Sequence, residues 1–169
     1  MSGASPAVGD AILGELAIRA AVGAVLDPEL PLITIADLGI LRDVSVDGTH
    51  ATVTITPTYS GCPAMEAIAG EVRAAASAAG ATAVDVVTVL SPPWTTDWIT
   101  ETGKQTLAAH GIAPPGPRSD GPVPLTLSVR CPQCGSLDTR ELSRFSGTAC
   151  KALYACNSCK EPFEHVKAH

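Results

Sequence analysis

Two C-x-x-C pairs, Cys131 with Cys134 and Cys156 with Cys159, stand twenty-one residues apart near the end of the chain. No other feature constrains the fold as strongly, because two such knuckles facing each other make a four-thiolate ribbon, too small for a core of its own and held largely by its metal. In each pair the two intervening residues turn backbone amides toward the sulfurs. Gly135 suits the left-handed position that follows the first knuckle, whereas Lys160 stands where the second would prefer glycine. Disulfides are the competing arrangement. The opening "MSGASPAVGD" lacks the basic start and apolar centre of a secretory signal, so a reducing, cytoplasmic setting and a metal are expected. Zinc in such a closed site is structural, since no coordination position is left for a substrate; the same ligands also suit rubredoxin-like iron. Cys150 is left over and is expected to pack under the ribbon rather than serve as a spare ligand.

The ribbon is set off from what precedes it. "GIAPPGPRSDGPVPL" holds five prolines and three glycines and reads as a semi-rigid spacer. The expected organisation is a first domain over 1–112, a Pro/Gly-rich linker over 113–124 and the ribbon over 125–169. From Leu125 onward Lys and Arg outnumber Asp and Glu by two, while the preceding part carries five basic residues against thirteen acidic ones. Four thiolates around a divalent metal offset the ribbon's surplus, and the acidic first part repels phosphate, so a protein partner is expected rather than nucleic acid. The longest apolar runs, such as "AVDVVTVL", fall far short of the ~20 residues that a membrane span needs.

In the first part the periodicity predicts helix, two strands, helix, strand, helix, an α+β fold with helices packed on a three-stranded sheet. Leu13, Leu16, Ala17, Ala20 and Ala24 mark the buried stripe of the first helix, with Asp10 placed to cap it. Leu41, Val44 and Val46 lie before an Asp47-Gly48 turn signal, and Val53 and Ile55 alternate after it, which predicts a hairpin halted at Pro57. A second helix is predicted from Pro63 to about Ala79, with Met65, Ile68, Ala69, Val72 and Ala76 inward. "AVDVVTVL" supplies a third strand and an amphipathic stretch runs from about Thr95 to His110. Cys62 then falls at a helix amino terminus, as its cap, with Pro63 in the first helical position. There the helix dipole would favour thiolate and lower its pKa. A small buried hydrophobe is the equally weighted alternative. An enzyme would use Cys62 as nucleophile with His50 or His110 as base, but no feature places either imidazole beside it.

Three stretches carry a resemblance. "DPELP" at 27–31, "DLG" at 37–39 and "TPTYSGCP" at 56–63 resemble the MIP18-type (DUF59) domain, whose members serve iron–sulfur cluster assembly. Beyond them, "LSPPWTTDWIT" at 90–100, "GIAPP" at 111–115 and "TACKALYACNSCKEPFEHVK" at 148–167 resemble the PaaD family of the phenylacetyl-CoA epoxidase system. The resemblance implies a maturation factor for that multicomponent epoxidase in aerobic phenylacetate catabolism, without catalytic activity of its own. It implies a reductase or oxygenase subunit as client and leaves a homodimer open. Cys62 falls on the family's functional cysteine, which implies a transient iron or Fe–S cluster ligand. Asp27, Glu29 and Asp37 match its acidic motif, for which turn and cap chemistry is the favoured role. The rival implication is a structural or electron-transfer subunit with rubredoxin-like iron in the ribbon. The chain departs from the family pattern at "FSGT", 145–148, where "FGST" is expected, and at Val166, where an aromatic is usual.

Overall fold

The computed structural model describes residues 8–59, 61–116 and 129–167. Its contacts divide the chain into two units: one runs to Ala36 and resumes over Ile40–Pro93, and the other joins Asp37–Gly39 to the chain from Trp94 onward.

The first unit contains α1 (Val8–Gly23), the hairpin β1 (Leu41–Asp47) and β2 (His50–Ile55), α2 (Met65–Ala78) and β3 (Ala83–Thr88). The sheet order is β1-β2-β3, antiparallel across the hairpin and parallel between β2 and β3. The hairpin closes where Asp47 faces His50, and Gly48 supplies the positive φ of 60° at the first loop position, the requirement of a type II′ turn. Parallel strands need a crossover, and α2 provides it. Ala51, Val53 and Ile55 are fully buried on β2, as are Ile68, Val72 and Ala76 on α2. Burying each of the larger aliphatics contributes roughly 1.5–3 kcal/mol relative to exposure.

The α2 stripe follows the sequence pattern, but α1 does not. Ile18 and Val22 are its buried face, whereas Leu16 is 57% exposed and Ala17, Ala20 and, just past its end, Ala24 are exposed too. This helix is apolar on nearly every side, so periodicity selects no single face, and the branched side chains bury more area than the three alanines would. The Leu13 side chain lies outside the described residues. The chain is already helical at Val8, the first described residue, which puts Asp10 inside the helix rather than at the cap.

The second unit contains a 3-10 turn (Thr96–Trp98), α3 (Glu101–Ala109) and the sheet of β4 (Ile112–Ala113), β5 (Thr139–Ser143), β6 (Lys151–Cys156) and β7 (Pro162–Val166), in the order β4-β7-β6-β5. The stretch expected as one helix from Thr95 is broken at Thr100. That side chain accepts the Gly103 N–H at 3.0 Å and starts a separate helix, while Thr95 caps the turn before it. The "DLG" motif receives this segment. The Asp37 carbonyl accepts the Thr100 N–H at 2.9 Å and its carboxylate accepts the Thr100 hydroxyl at 2.6 Å. Trp94 Nε1 donates to the Leu38 carbonyl at 2.9 Å. Gly39 has φ +73°, and a Cβ there would stand 2.6 Å from Trp98 Cβ, so both backbone and space demand glycine. Of the expected linker, Ala113 lies in β4, paired with His165 of β7, and 117–124 lie outside the described residues, as do 125–128 of the expected ribbon.

Candidate functional site

In the ribbon the two knuckles are built by the turns that sequence spacing demands. Gly135 N–H donates to the Cys131 carbonyl at 2.9 Å and Lys160 N–H to the Cys156 carbonyl at 3.1 Å, each closing one knuckle. The residues that follow both take positive φ, 73° at Gly135 and 68° at Lys160. The glycine-preferring position is thus met by a lysine, whose Nζ donates to the Asn157 carbonyl at 2.5 Å.

The four Sγ atoms lie within 4.8 Å of one another. Pairs across the knuckles are closest, Cys134 to Cys156 at 3.6 Å and Cys131 to Cys159 at 3.7 Å. Tetrahedral zinc with ~2.3 Å bonds to sulfur sets its thiolates about 3.8 Å apart, so the residues fit that ion. The Cys159 N–H, 3.5 Å from Cys156 Sγ, is the largest influence bringing the Cys156 thiol down to about 6. At Cys159 the Glu161 N–H favours thiolate, but burial and the neighbouring sulfurs outweigh it and push the thiol up to about 12. A bound cation removes that mutual repulsion. Cys131, Cys156, Phe163 and Ala113 form the small core beneath the site.

Cys150 is not part of the sulfur cluster. It is buried, with Sγ 3.1 Å from the Thr148 hydroxyl, as its packing role required. In the divergent loop, Ser146 Oγ donates to the Glu164 carboxylate, which also accepts Lys151 Nζ at 2.6 Å. Lys151 is thereby paired although only 7% exposed, and Val166 is buried in the place of the usual aromatic.

Cys62 is positioned differently. Ala64, not Cys62, is the cap of α2, and no side chain bonds there. The Cys62 carbonyl accepts the Met65 N–H at 3.5 Å, so the thiol lies in a turn that precedes the helix. The Ala64 N–H and the Tyr59 hydroxyl donate to the sulfur, yet partial burial, the largest influence, and the charges of Glu29 and Asp27 raise the thiol above its ordinary pKa. The lowered pKa expected of a capping cysteine is therefore corrected to a raised one. Nothing in local sequence announces this, since Glu29 and Asp27 lie more than thirty positions away. Asp27 itself is 5% exposed, and its Oδ1 accepts the Glu29 and Leu30 N–H groups at 2.9 and 2.7 Å. This is turn chemistry, as favoured for the acidic motif. His50 pairs with Asp85 at 2.8 Å at the far end of β2 from the Cys62 loop, and His110 Nδ1 bonds the Thr106 carbonyl at 2.8 Å.

A family model described as "PaaD zinc beta ribbon domain" matches residues 117–167, and one described as "Iron-sulfur cluster assembly protein" matches 15–89. A curated relative from Escherichia coli K12, described as a putative subunit of 1,2-phenylacetyl-CoA epoxidase, is 47% identical over 150 residues, which cover 89% of this chain and 90% of that protein. The chain belongs to the PaaD family. Its assembly-type domain has relatives outside that family. A "Fe-S protein maturation auxiliary factor" from Porphyromonas gingivalis is 38% identical over 80 residues, 46% of this chain and 74% of that one. The solved DUF59 domain from Bacillus anthracis superposes with a TM-score of 0.53 at 29% identity, covering 60% of this chain and 97% of its own. This PaaD family member is thus an α+β chain that joins a DUF59-type domain to a zinc ribbon domain. No helix among the described residues is long and apolar enough to cross a membrane.

Proposed function

We propose that this chain matures the multicomponent phenylacetyl-CoA epoxidase by passing iron or an Fe–S cluster to one of its components. The observation that carries this is the pairing, in one PaaD family chain, of an iron–sulfur assembly domain with a half-buried thiol in its Cys62 loop. Cys62 is the soft ligand. With its pKa raised, the resting thiol stays protonated at neutral pH, and an incoming cation displaces the proton. The nearby negative charges of Glu29 and Asp27, which oppose the free thiolate, favour the cation once it arrives. A thiol that keeps its proton until metal comes holds cargo without reacting readily beforehand.

Cys131, Cys134, Cys156 and Cys159 hold zinc for structure, and no position in that closed site remains for cargo. A second reading is favoured by the description of the Escherichia coli relative as a subunit of the epoxidase: a structural or electron-transfer component with iron in the ribbon. Producing the epoxidase components with and without this chain separates the two. The maturation reading expects components made without it to lack iron or [2Fe–2S] cluster, and loaded components to turn over without it. Fully loaded components made in its absence would remove that reading.

A further inference from the structure

We propose that Cys134 is a site of oxidative modification, where a hydroperoxide converts the ribbon from a metal-held to a disulfide-held form by joining Cys134 to Cys156. The inference rests on reading the four cysteines as a metal centre and goes beyond it. All six cysteines of the chain are described, and only Cys134 is exposed; Cys131, Cys150 and Cys156 are buried, and Cys62 and Cys159 are partly so. Cys134 is therefore the most exposed residue of the cluster. Accessibility governs which sulfur an oxidant reaches first.

The fate of the oxidised sulfur is set by its neighbours. Cys156 Sγ is 3.6 Å from Cys134 Sγ, across the knuckles. Bonding needs ~2.05 Å, so the two sulfurs must close that gap for the disulfide to form. The two knuckles are also tied by bonds that use no sulfur. Ser136 Oγ and Ser158 Oγ are 2.9 Å apart, and Asn157 donates its backbone N–H to the Asp138 carbonyl and its Nδ2 to the Asp138 carboxylate, both at 2.8 Å. Thr139 of β5 pairs with Cys156 itself. These contacts set the knuckles face to face, so the sulfur placed to resolve an oxidised Cys134 is Cys156. Within its own unit Cys62 has no second cysteine to resolve it.

The step balances. The Cys134 thiolate attacks the peroxide, the O–O bond breaks, an alkoxide or hydroxide leaves and a sulfenic acid forms. The Cys156 thiolate then attacks that sulfur, the S–O bond breaks, hydroxide leaves and the disulfide forms. Two thiolates have lost two electrons, the peroxide has gained two, and the metal is left with two of its four ligands and is released. A thiol reductant reverses the bond.

The test uses the full, metal-loaded wild-type chain and stoichiometric hydrogen peroxide, with a sulfenate trap, a metal indicator and peptide mapping. Trapping should favour Cys134 over Cys131 and Cys156 by at least about tenfold. One Cys134–Cys156 disulfide should form per metal released, with the β-sheet circular dichroism kept and the metal re-bound after reduction. A Cys131–Cys134 disulfide, Cys62 oxidised first while the metal stays, or unfolding of the ribbon as metal leaves would each overturn the proposal. A chain that takes up no metal would instead remove the reading beneath it.

Discussion

The two cysteine-bearing regions of this molecule use sulfur in opposite ways. In the ribbon four sulfurs crowd one another and share their protons unequally, with Cys156 brought down to about 6 and Cys159 pushed up to about 12, and a cation makes the thiolates tolerable together. In the Cys62 loop a single sulfur meets partial burial and two acidic side chains, and its thiol is pushed up. The first arrangement holds a metal as part of the fold. The second suits a ligand that waits, because the thiol keeps its proton beside Asp27, whose carboxylate accepts the turn amides of Glu29 and Leu30.

That contrast breaks most visibly by removing one ribbon ligand. Cys156→Ser takes away a metal ligand worth several kcal/mol of folding free energy, since structural zinc supplies roughly 10–16 kcal/mol in small domains. Amide spectra should show the ribbon strands lost and the first unit's sheet intact; a ribbon still ordered in this variant, which has neither the metal nor the Cys134–Cys156 disulfide, would contradict the division. The converse is Ile68→Ala. It empties a fully buried position on α2 and should cost about 2–5 kcal/mol by denaturant titration, while metal content stays at one per chain. Loss of metal in that variant would mean that the two regions are not independent.

The ribbon is legible in the sequence because its determinants are local: a spacing of cysteines, a glycine after one knuckle, a lysine after the other. The α2 stripe is legible for the same reason, a periodic face ending at Gly80. Elsewhere the decisive partners are distant. The α1 stripe is misplaced by periodicity because Ile12 and Leu16, 53% and 57% exposed, are as apolar as Ile18 and Val22 beneath them, and sequence alone does not say which side meets the sheet. Sequence also sets Cys62 too close to its helix, because Pro63 imitates a first helical residue, whereas α2 begins at Met65. Its pKa turns on Glu29 and Asp27, brought near only by the fold. The short strand Ile112–Ala113 is hidden in a proline-rich stretch, and only its pairing with β7 defines it.

The sulfur contrast is sharpened by reactivity. Because the Cys62 thiol is raised, its alkylation at pH 7 should be slower than that of a free thiol with pKa near ~8.5, rising steeply only at more alkaline pH. Sign follows directly: a raised pKa leaves less thiolate at every pH below it. Fast alkylation at neutral pH would restore the thiolate and remove the argument for a waiting ligand. The smallest expected effect lies at the second knuckle. Lys160 holds φ 68°, a conformation that costs a non-glycine residue about 1 kcal/mol. Lys160→Gly should stabilise the ribbon by up to that amount, less the lost bond to the Asn157 carbonyl, as read from the temperature of metal release.

The central claim is that Cys62 carries cargo while the ribbon cysteines carry structure. Cys62→Ser leaves the ribbon untouched and removes no bond that caps α2, so the protein should accumulate normally with its ribbon metal in place. The direct measurement is the iron and cluster content of epoxidase components purified from cells whose only copy of this chain is Cys62→Ser. The account predicts components deficient in iron or [2Fe–2S] cluster beside a folded, metal-bearing variant; components with their full complement would contradict it.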